Sequence, residues 1–362
     1  MNTRFKLTSK GDIKMEFNTN QKEAIHTIDG NMVVIAAAGS GKTSVLTYRI
    51  LNMVKNHGID PTTILAVTFS KKAKESIEHR LGKLGVVSVN VETFHSLALK
   101  IITSTYGYGK YKVWTASWEK EKALKEICCD LLGLCRNKDD VPYNGILRFL
   151  GIQKTNMLGS TDSLIYSDDD PYPDDRMKKI YKMYEDYKKD KSYIEFDDFL
   201  NMANQCFDKF PDILKFYQNK YLYVLSDEFQ DVSMAQSLLL KRINNKNTMI
   251  VGDPLQAIYS FRGGRSEYIM QFDQDYSDVK IVHLNTNYRC STDIVRMANM
   301  LAQHIPDSKD KNYVESIASK GTNQFPEYRK FVSEYDEASW ICKKITAPYL
   351  PPSPKVLAVP KQ

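Results

Sequence analysis

Met32-Val33-Val34-Ile35-Ala36-Ala37-Ala38-Gly39-Ser40-Gly41-Lys42-Thr43 turns from strand to helix within a few residues, and the fold follows from that turn. An apolar, β-branched run stops at two glycines and passes into Lys42 to Val54, which has helical spacing. Gly39 and Gly41 let backbone N–H groups approach an anion, and the helix N-terminus adds positive potential at the same place. A phosphate-binding loop requires this context. Ala38 to Gly41 would form the cradle, Lys42 would reach β- and γ-phosphates, and Thr43 would hold Mg²⁺. The strict pattern has glycine at position 36, where this chain has Ala36. A small-residue turn with no ligand is the purely structural alternative, and G-S-G-K-T directly after a buried strand argues against it.

Further apolar runs occur at Ile64 to Phe69, Tyr221 to Leu225, Thr248 to Val251 and Lys280 to Leu284. Helix-like stretches follow the first, at Lys71 to Leu81, and the last, at about Thr292 to Gln303. This alternation predicts an α/β fold, a parallel sheet with helices on both faces and ligands beyond the carboxyl ends of its strands. From about Tyr106 to Leu214 the pattern changes. Lys, Tyr, Asp and Leu dominate, helical spacing appears in Trp118 to Leu132 and Arg176 to Lys188, and Ser167 to Asp175 is acidic and turn-rich. A mainly helical insertion between two parts of one α/β domain is expected, its charge runs being solvated helix faces.

The chain has 362 residues, enough for two or three domains at roughly 150 residues each. With 42% hydrophobic and 26% charged residues, a wholly disordered chain is excluded and a sizeable core expected. The longest clean apolar stretch, Met32 to Ala38, is far too short to cross a bilayer. Met1 to Lys14 lacks the apolar centre of a secretory signal. A net charge of +6 permits nucleic-acid binding without arguing for it. Cys128, Cys129, Cys135, Cys206, Cys290 and Cys342 form no C-x-x-C pair and suit neither a zinc site nor an iron–sulfur cluster, so free thiols in a reducing cytoplasm are expected.

Tyr223-Val224-Leu225-Ser226-Asp227-Glu228-Phe229-Gln230-Asp231 is an apolar strand ending in adjacent carboxylates. Asp227 can bind Mg²⁺ through water, and Glu228 can orient and deprotonate an attacking water, the parts phosphoryl transfer needs beside a phosphate loop. Acidic residues also cap helices at such places, but the loop at residues 36–43 tips the reading toward chemistry. Val251 to Gly264 runs from a strand into a turn with Gln256, then Tyr259, Phe261 and Arg262. Gln256 would sense the γ-phosphate. The two rings would stack on unpaired bases and Arg262 would contact the backbone, although alone this segment reads as packing around a turn.

In order, these segments resemble the superfamily 1 helicases of the UvrD/Rep type. Phe17 to Gln21 is similar to the Q motif, which implies that Gln21 reads the adenine edge. Residues 36–43 resemble motif I, Ala66 to Ala73 motif Ia, and Val91 to His95 the T-F-H motif. Asp227 to Asp231 matches motif II, and Gly252 to Gly263 resembles motif III in a Y-S-F-R-G form similar to the RecB/AddA branch. Leu284 to Arg289 resembles motif IV, implying that Tyr288 stacks on adenine and Arg289 reaches the γ-phosphate. Thr68, Phe69, Thr93, His95, Tyr259, Phe261 and Arg262 match family positions that touch the strand.

The resemblance implies a RecA-like domain 1A from residues 14–105 and 215–280, a helical 1B insertion at 106–214, and the start of a second RecA-like domain, 2A, at 281–362. It implies ATP and Mg²⁺ as cofactors, single-stranded DNA and strand junctions as partners, and 3′-to-5′ movement. Motifs V and VI of the family are not found, and Lys355 to Pro360 resembles the next strand of 2A. Two functions follow: an ATP-dependent helicase or translocase, or an ATP- and DNA-binding module with little unwinding of its own. A small kinase is the third class, disfavoured by the D-E-F-Q-D and N-Y-R elements.

Overall fold

A computed structural model describes residues 5–7, 13–172, 174–244, 246–259, 263–305, 314–322 and 327–346. In chain order its strands are β1 (Phe5–Leu7), β2 (Ile13–Met15), β3 (Met32–Ala36), β4 (Ile64–Thr68), β5 (Asn90–Thr93), β6 (Lys112–Val113), β7 (Tyr193–Ile194), β8 (Tyr223–Ser226), β9 (Thr248–Gly252), β10 (Lys280–Leu284), β11 (Thr286–Asn287) and β12 (Ile317–Ala318). Six of them form one all-parallel sheet in the order β10-β3-β9-β8-β4-β5. Every residue of β3, β4 and β9 is buried, as a sheet covered on both faces demands. The RecA-like α/β architecture expected from the sequence is the one observed.

The chain leaves β3 toward β4 on one side and leaves β9 toward β10 on the other. The crevice at their carboxyl ends is therefore a topological switch point, where open α/β sheets bind ligands. Every motif quoted above except Phe17 to Gln21 emerges from that edge, because each follows the end of β3, β4, β5, β8, β9 or β10.

Helices cover both faces. On one, α1 (Thr19–His26), α2 (Lys42–Lys55) and α3 (Lys71–Lys83) pack over Val34, Ala66, Leu225 and Val251. Alternate residues of the same strands, Val33, Leu65, Val224 and Ile250, face α4 (Phe94–Tyr106) on the other. The insertion contributes α5 (Ser117–Lys125), running into a π-turn at Glu126–Leu131, then α6 (Tyr143–Thr155) and α7 (Asp175–Lys191). Its separate core is built on Trp114, Phe149 and Tyr184. Next come α8 (Phe196–Lys209), α9 (Pro211–Lys220) and α10 (Met234–Ile243).

Two expected boundaries move. The insertion is expected to run to residue 214, yet Phe199, Ala203 and Phe207 of α8 are buried with the sheet and α4. They share the core of the α/β domain, and the separate core of the insertion ends near Tyr184. The second domain was expected from residue 281, yet β10 pairs in register with β3 from Lys280↔Met32 to Leu284↔Ala36. Val282 and Leu284 are buried there, so the first sheet extends to residue 284.

Two single-turn helices, α11 (Glu267–Met270) and α12 (Phe272–Asp275), precede β10, and beyond it the short parallel pair β11–β12 supports α13 (Thr292–Ala302). Helix α13 buries Val295 and Ala302 and exposes Ile294, Met297, Met300 and Leu301. Helix α14 (Glu334–Thr346) follows. Lys355 to Pro360 lies outside the described residues. Among the described residues, no helix is long and apolar enough to cross a membrane.

Candidate functional site

The loop after β3 closes over a polar cleft of about 390 Å³ lined by Gly39, Lys42, Thr43, Glu228, Gln256 and Arg289, among others. Gly39 and Gly41 both hold positive φ, +68° and +92°. A Cβ on Gly39 would lie 2.7 Å from Arg289 Cβ, so the close approach of the loop to the motif IV segment requires glycine. Tyr288 N donates to Gly39 O at 3.0 Å, tying the two segments. Helix α2 begins at Lys42 and directs its N-terminal N–H groups and positive dipole end into the cleft.

Gln21 is buried by a capping box. Asn18 N donates to Gln21 Oε1 at 3.0 Å and Gln21 N to Asn18 Oδ1 at 2.8 Å. Its side chain also donates from Nε2 to Ser40 O at 2.9 Å, so Gln21 holds the loop in shape. Asn18 Nδ2 donates to the Tyr288 hydroxyl at 2.9 Å, fixing that ring at the cleft rim.

Thr43 Oγ1 donates to Asp227 Oδ2 at 3.2 Å, and Lys42 Nζ lies 3.6 Å from Glu228 Oε2. Residues 184 apart in sequence thus meet because β3 and β8 end at one edge. Burial, then the neighbouring Glu228 carboxylate, pushes the Asp227 carboxyl up to about 6, while Lys42 and Thr43 partly offset this. The Thr43 hydroxyl and the Asp227 carboxylate, hard oxygen donors, fit a Mg²⁺ ion, and the glycine-lined cradle with Lys42 fits phosphates. Glu228 sits at φ +52°, an uncommon conformation for a residue with a side chain, at the turn out of β8.

Gln230, not singled out by the sequence motifs, links this cleft to the turn after β9. Its Nε2 donates to Glu228 Oε2 at 2.9 Å and Asp231 Oδ2 at 3.2 Å, and its Oε1 accepts from Asp253 N at 3.0 Å. Asp231 Oδ1 in turn accepts from Ile258 N at 3.3 Å. Gln256 Nε2 donates to Asp253 Oδ2, placing its amide on the cleft wall. Arg80 of α3 also lines the cleft, its Nη1 3.4 Å from Ser44 Oγ, and no local sequence signal marked it.

On the other side of these loops lies a groove of about 720 Å³ between the sheet edge and the insertion. Phe69 and Tyr259 line it, ring centroids 4.9 Å apart. His95 lines it beside Phe196, at 6.4 Å. Burial lowers the His95 pKa, and Asp197 offsets only part of this. Phe196 and Arg148, both exposed, complete the wall, and neither was legible as a site residue in the sequence.

The expected strand contacts are only partly brought together. Thr68 is fully buried at the end of β4, so its side chain does not reach the groove. Thr93 caps α4, its Oγ1 accepting from Ser96 N at 3.1 Å. Phe261 and Arg262 lie outside the described residues.

A profile of the UvrD/REP helicase N-terminal domain family matches residues 17–277. The ATP-dependent DNA helicase PcrA of Staphylococcus epidermidis is 29% identical over 91% of this chain and 45% of its own length. The putative ATP-dependent DNA helicase YjcD of Bacillus subtilis is 31% identical over 91% of this chain and 43% of its own. DNA helicase II of Rickettsia typhi is 31% identical over 91% of this chain and 50% of its own. The chain thus spans about half the length of these relatives.

Proposed function

The chain belongs to the UvrD/REP helicase N-terminal domain family, and from that membership we propose that it forms the ATP-hydrolysing, strand-gripping part of a DNA helicase or translocase. The observation that carries this is the meeting of Lys42, Thr43, Asp227 and Glu228 at one cleft, with the buried Gln230 bonded both to Glu228 and to Asp231 of the groove wall.

Mg²⁺–ATP, when bound, supplies the phosphoanhydride bond to be broken and a cation that neutralises charge on the phosphates. Lys42 and the loop N–H groups bind the phosphates, and Thr43 with Asp227 holds the cation. Glu228, tethered by Gln230, accepts the proton of the attacking water. Arg289, facing the loop from the motif IV segment, would stabilise charge on the phosphates from the opposite wall. Tyr288, held at the rim by Asn18, offers its ring to the base, while Gln21 keeps the loop beneath it in shape. Phe69, His95, Phe196 and Tyr259 offer stacking faces for unpaired bases, and such contacts read no sequence. Resemblance to UvrD/Rep motors supports 3′-to-5′ movement and strand junctions as substrates.

The experiment is ATP turnover with and without an unstructured oligonucleotide, beside strand displacement on 3′-tailed and 5′-tailed duplexes. DNA-stimulated turnover is expected, with any displacement confined to the 3′ tail. Turnover indifferent to single strands would overturn the reading. Stimulated turnover without displacement would identify an ATP- and DNA-binding module instead.

A further inference from the structure

The insertion and the motor core meet at a buried ionic cluster that the nucleotide chemistry does not use. Glu195 caps α8 and Asp198 lies in its first turn, Glu195 N donating to Asp198 Oδ2 at 2.7 Å. Lys154 of α6 lies 3.1 Å from Glu195 Oε2 and 2.8 Å from Asp198 Oδ1. Lys188 of α7 lies 2.6 Å from Asp198 Oδ2. Glu185 bridges both lysines, at 3.0 Å and 2.9 Å. Lys120 of α5 reaches Glu195 Oε1 at 2.8 Å, where the Tyr184 hydroxyl also donates at 2.9 Å. Three cations balance three carboxylates. Lys154 and Lys188 are only 3% and 2% exposed.

Between Glu195 and Asp198 stand Phe196 and Asp197, both on the groove wall. Phe196 packs at 5.4 Å on Phe199, and both rings flank His95. Every helix of the insertion therefore sends a charge to the single turn that presents Phe196. Apolar side chains could fill this volume with no loss of stability. Ionic hydrogen bonds add direction, fixing how α8 begins and hence where the Phe196 ring stands.

We propose that Lys154, Lys188 and Lys120, through Glu195 and Asp198, are positioning residues that set the stacking geometry of Phe196 for an unpaired base. This rests on the reading of the groove as a single-strand site.

The test uses the full chain and an oligothymidine carrying one 2-aminopurine, whose fluorescence is quenched by stacking. The charge-balanced pair Lys154→Met with Asp198→Asn should weaken single-strand binding ~5–10-fold, a fraction of one base's stacking. Quenching should fall, ATP affinity should stay within about twofold, and the salt dependence should not change, since no phosphate contact is lost. Added to Phe196→Ala, the pair should cost nothing further. Should that pair not fold, Lys120→Gln, at the most open cation, should weaken binding in the same way but less, and Lys120→Arg should restore it. Wild-type affinity and quenching in these variants, or losses additive with Phe196→Ala, would overturn the proposal. If Phe196→Ala and Tyr259→Ala leave binding unchanged, the groove itself is misassigned and the proposal falls with it. A Phe196→Ala loss without a lysine effect condemns the positioning role alone.

Discussion

At the residue scale, the proposed nucleotide cleft rests on a few side chains with separable duties. Lys42 brings the cationic side chain of the loop, and its nearest carboxylate is Glu228 at 3.6 Å. Lys42→Ala should weaken ATP binding tenfold or more in calorimetry, because a charge-assisted hydrogen bond is worth about 1.5–3 kcal/mol. Glu228→Gln keeps the shape and the Gln230 contact but cannot accept a proton. ATP should bind as before while turnover drops at least ~10²-fold, the span general-base catalysis supplies. Equal turnover in that variant would remove Glu228 from the chemistry. Gly39→Ala combines a strained φ with a Cβ 2.7 Å from Arg289 Cβ. It should push the motif IV segment away and impair turnover more than it lowers the melting temperature.

At the element scale, the start of α8 is where charge and acid stability meet. Burial alone would raise the pKa values of Glu195 and Asp198, but Lys154 and Lys188 outweigh it, holding Glu195 well below the usual carboxylate range and lowering Asp198 as well. A carboxylate depressed in the folded state stabilises above its unfolded pKa and loses that contribution as pH falls toward the folded one. For these two, the loss begins near their ordinary values of 4.5 and 3.8. Lys154 is raised despite burial, by Asp198, Glu185 and Glu195, so its contribution holds below 10.5 and fades only above it. The melting temperature should therefore be flat through neutral pH with respect to this cluster and fall below about pH 4.5. The Lys154→Met with Asp198→Asn pair should show a shallower acid limb. An identical limb would mean that other groups govern acid unfolding.

Across the whole molecule, the cleft and the groove are joined by one buried amide. Gln230 touches Glu228 on the nucleotide side and Asp253 and Asp231 on the side leading to Tyr259. Coupling between two sites needs such a shared element with more than one arrangement. Gln230→Ala should leave ATP and single-strand affinities near wild type when measured separately, yet reduce the stimulation of turnover by DNA. The Asp253 N–H left unpaired should lower stability by about 1–3 kcal/mol. Full DNA stimulation in the folded variant would show that the sites communicate by another route.

The sequence alone determined the parallel sheet, the glycine loop between β3 and α2 and the carboxylate pair, because each is written in a short contiguous stretch. Strand-then-glycine at residues 32–41 and strand-then-acid at 223–228 are local patterns whose physics needs no distant partner. Only the tertiary structure decided that Lys280–Leu284 completes the first sheet, since an isolated apolar run does not name its neighbour. It alone placed α8 in the core of the α/β domain, committed Thr68 to burial and Thr93 to a helix cap, brought Phe196 and Arg148 to the groove and Arg80 to the cleft, and set Gln230 between them. Phe196, Arg148 and Arg80 lie in ordinary helical sequence, and Gln230 lies within the D-E-F-Q-D stretch, where its bonding partners are not legible. Their roles come from contacts between segments far apart in the chain, such as the 41 residues from Lys154 to Glu195, and such contacts exist only once the sheet has brought the segments together.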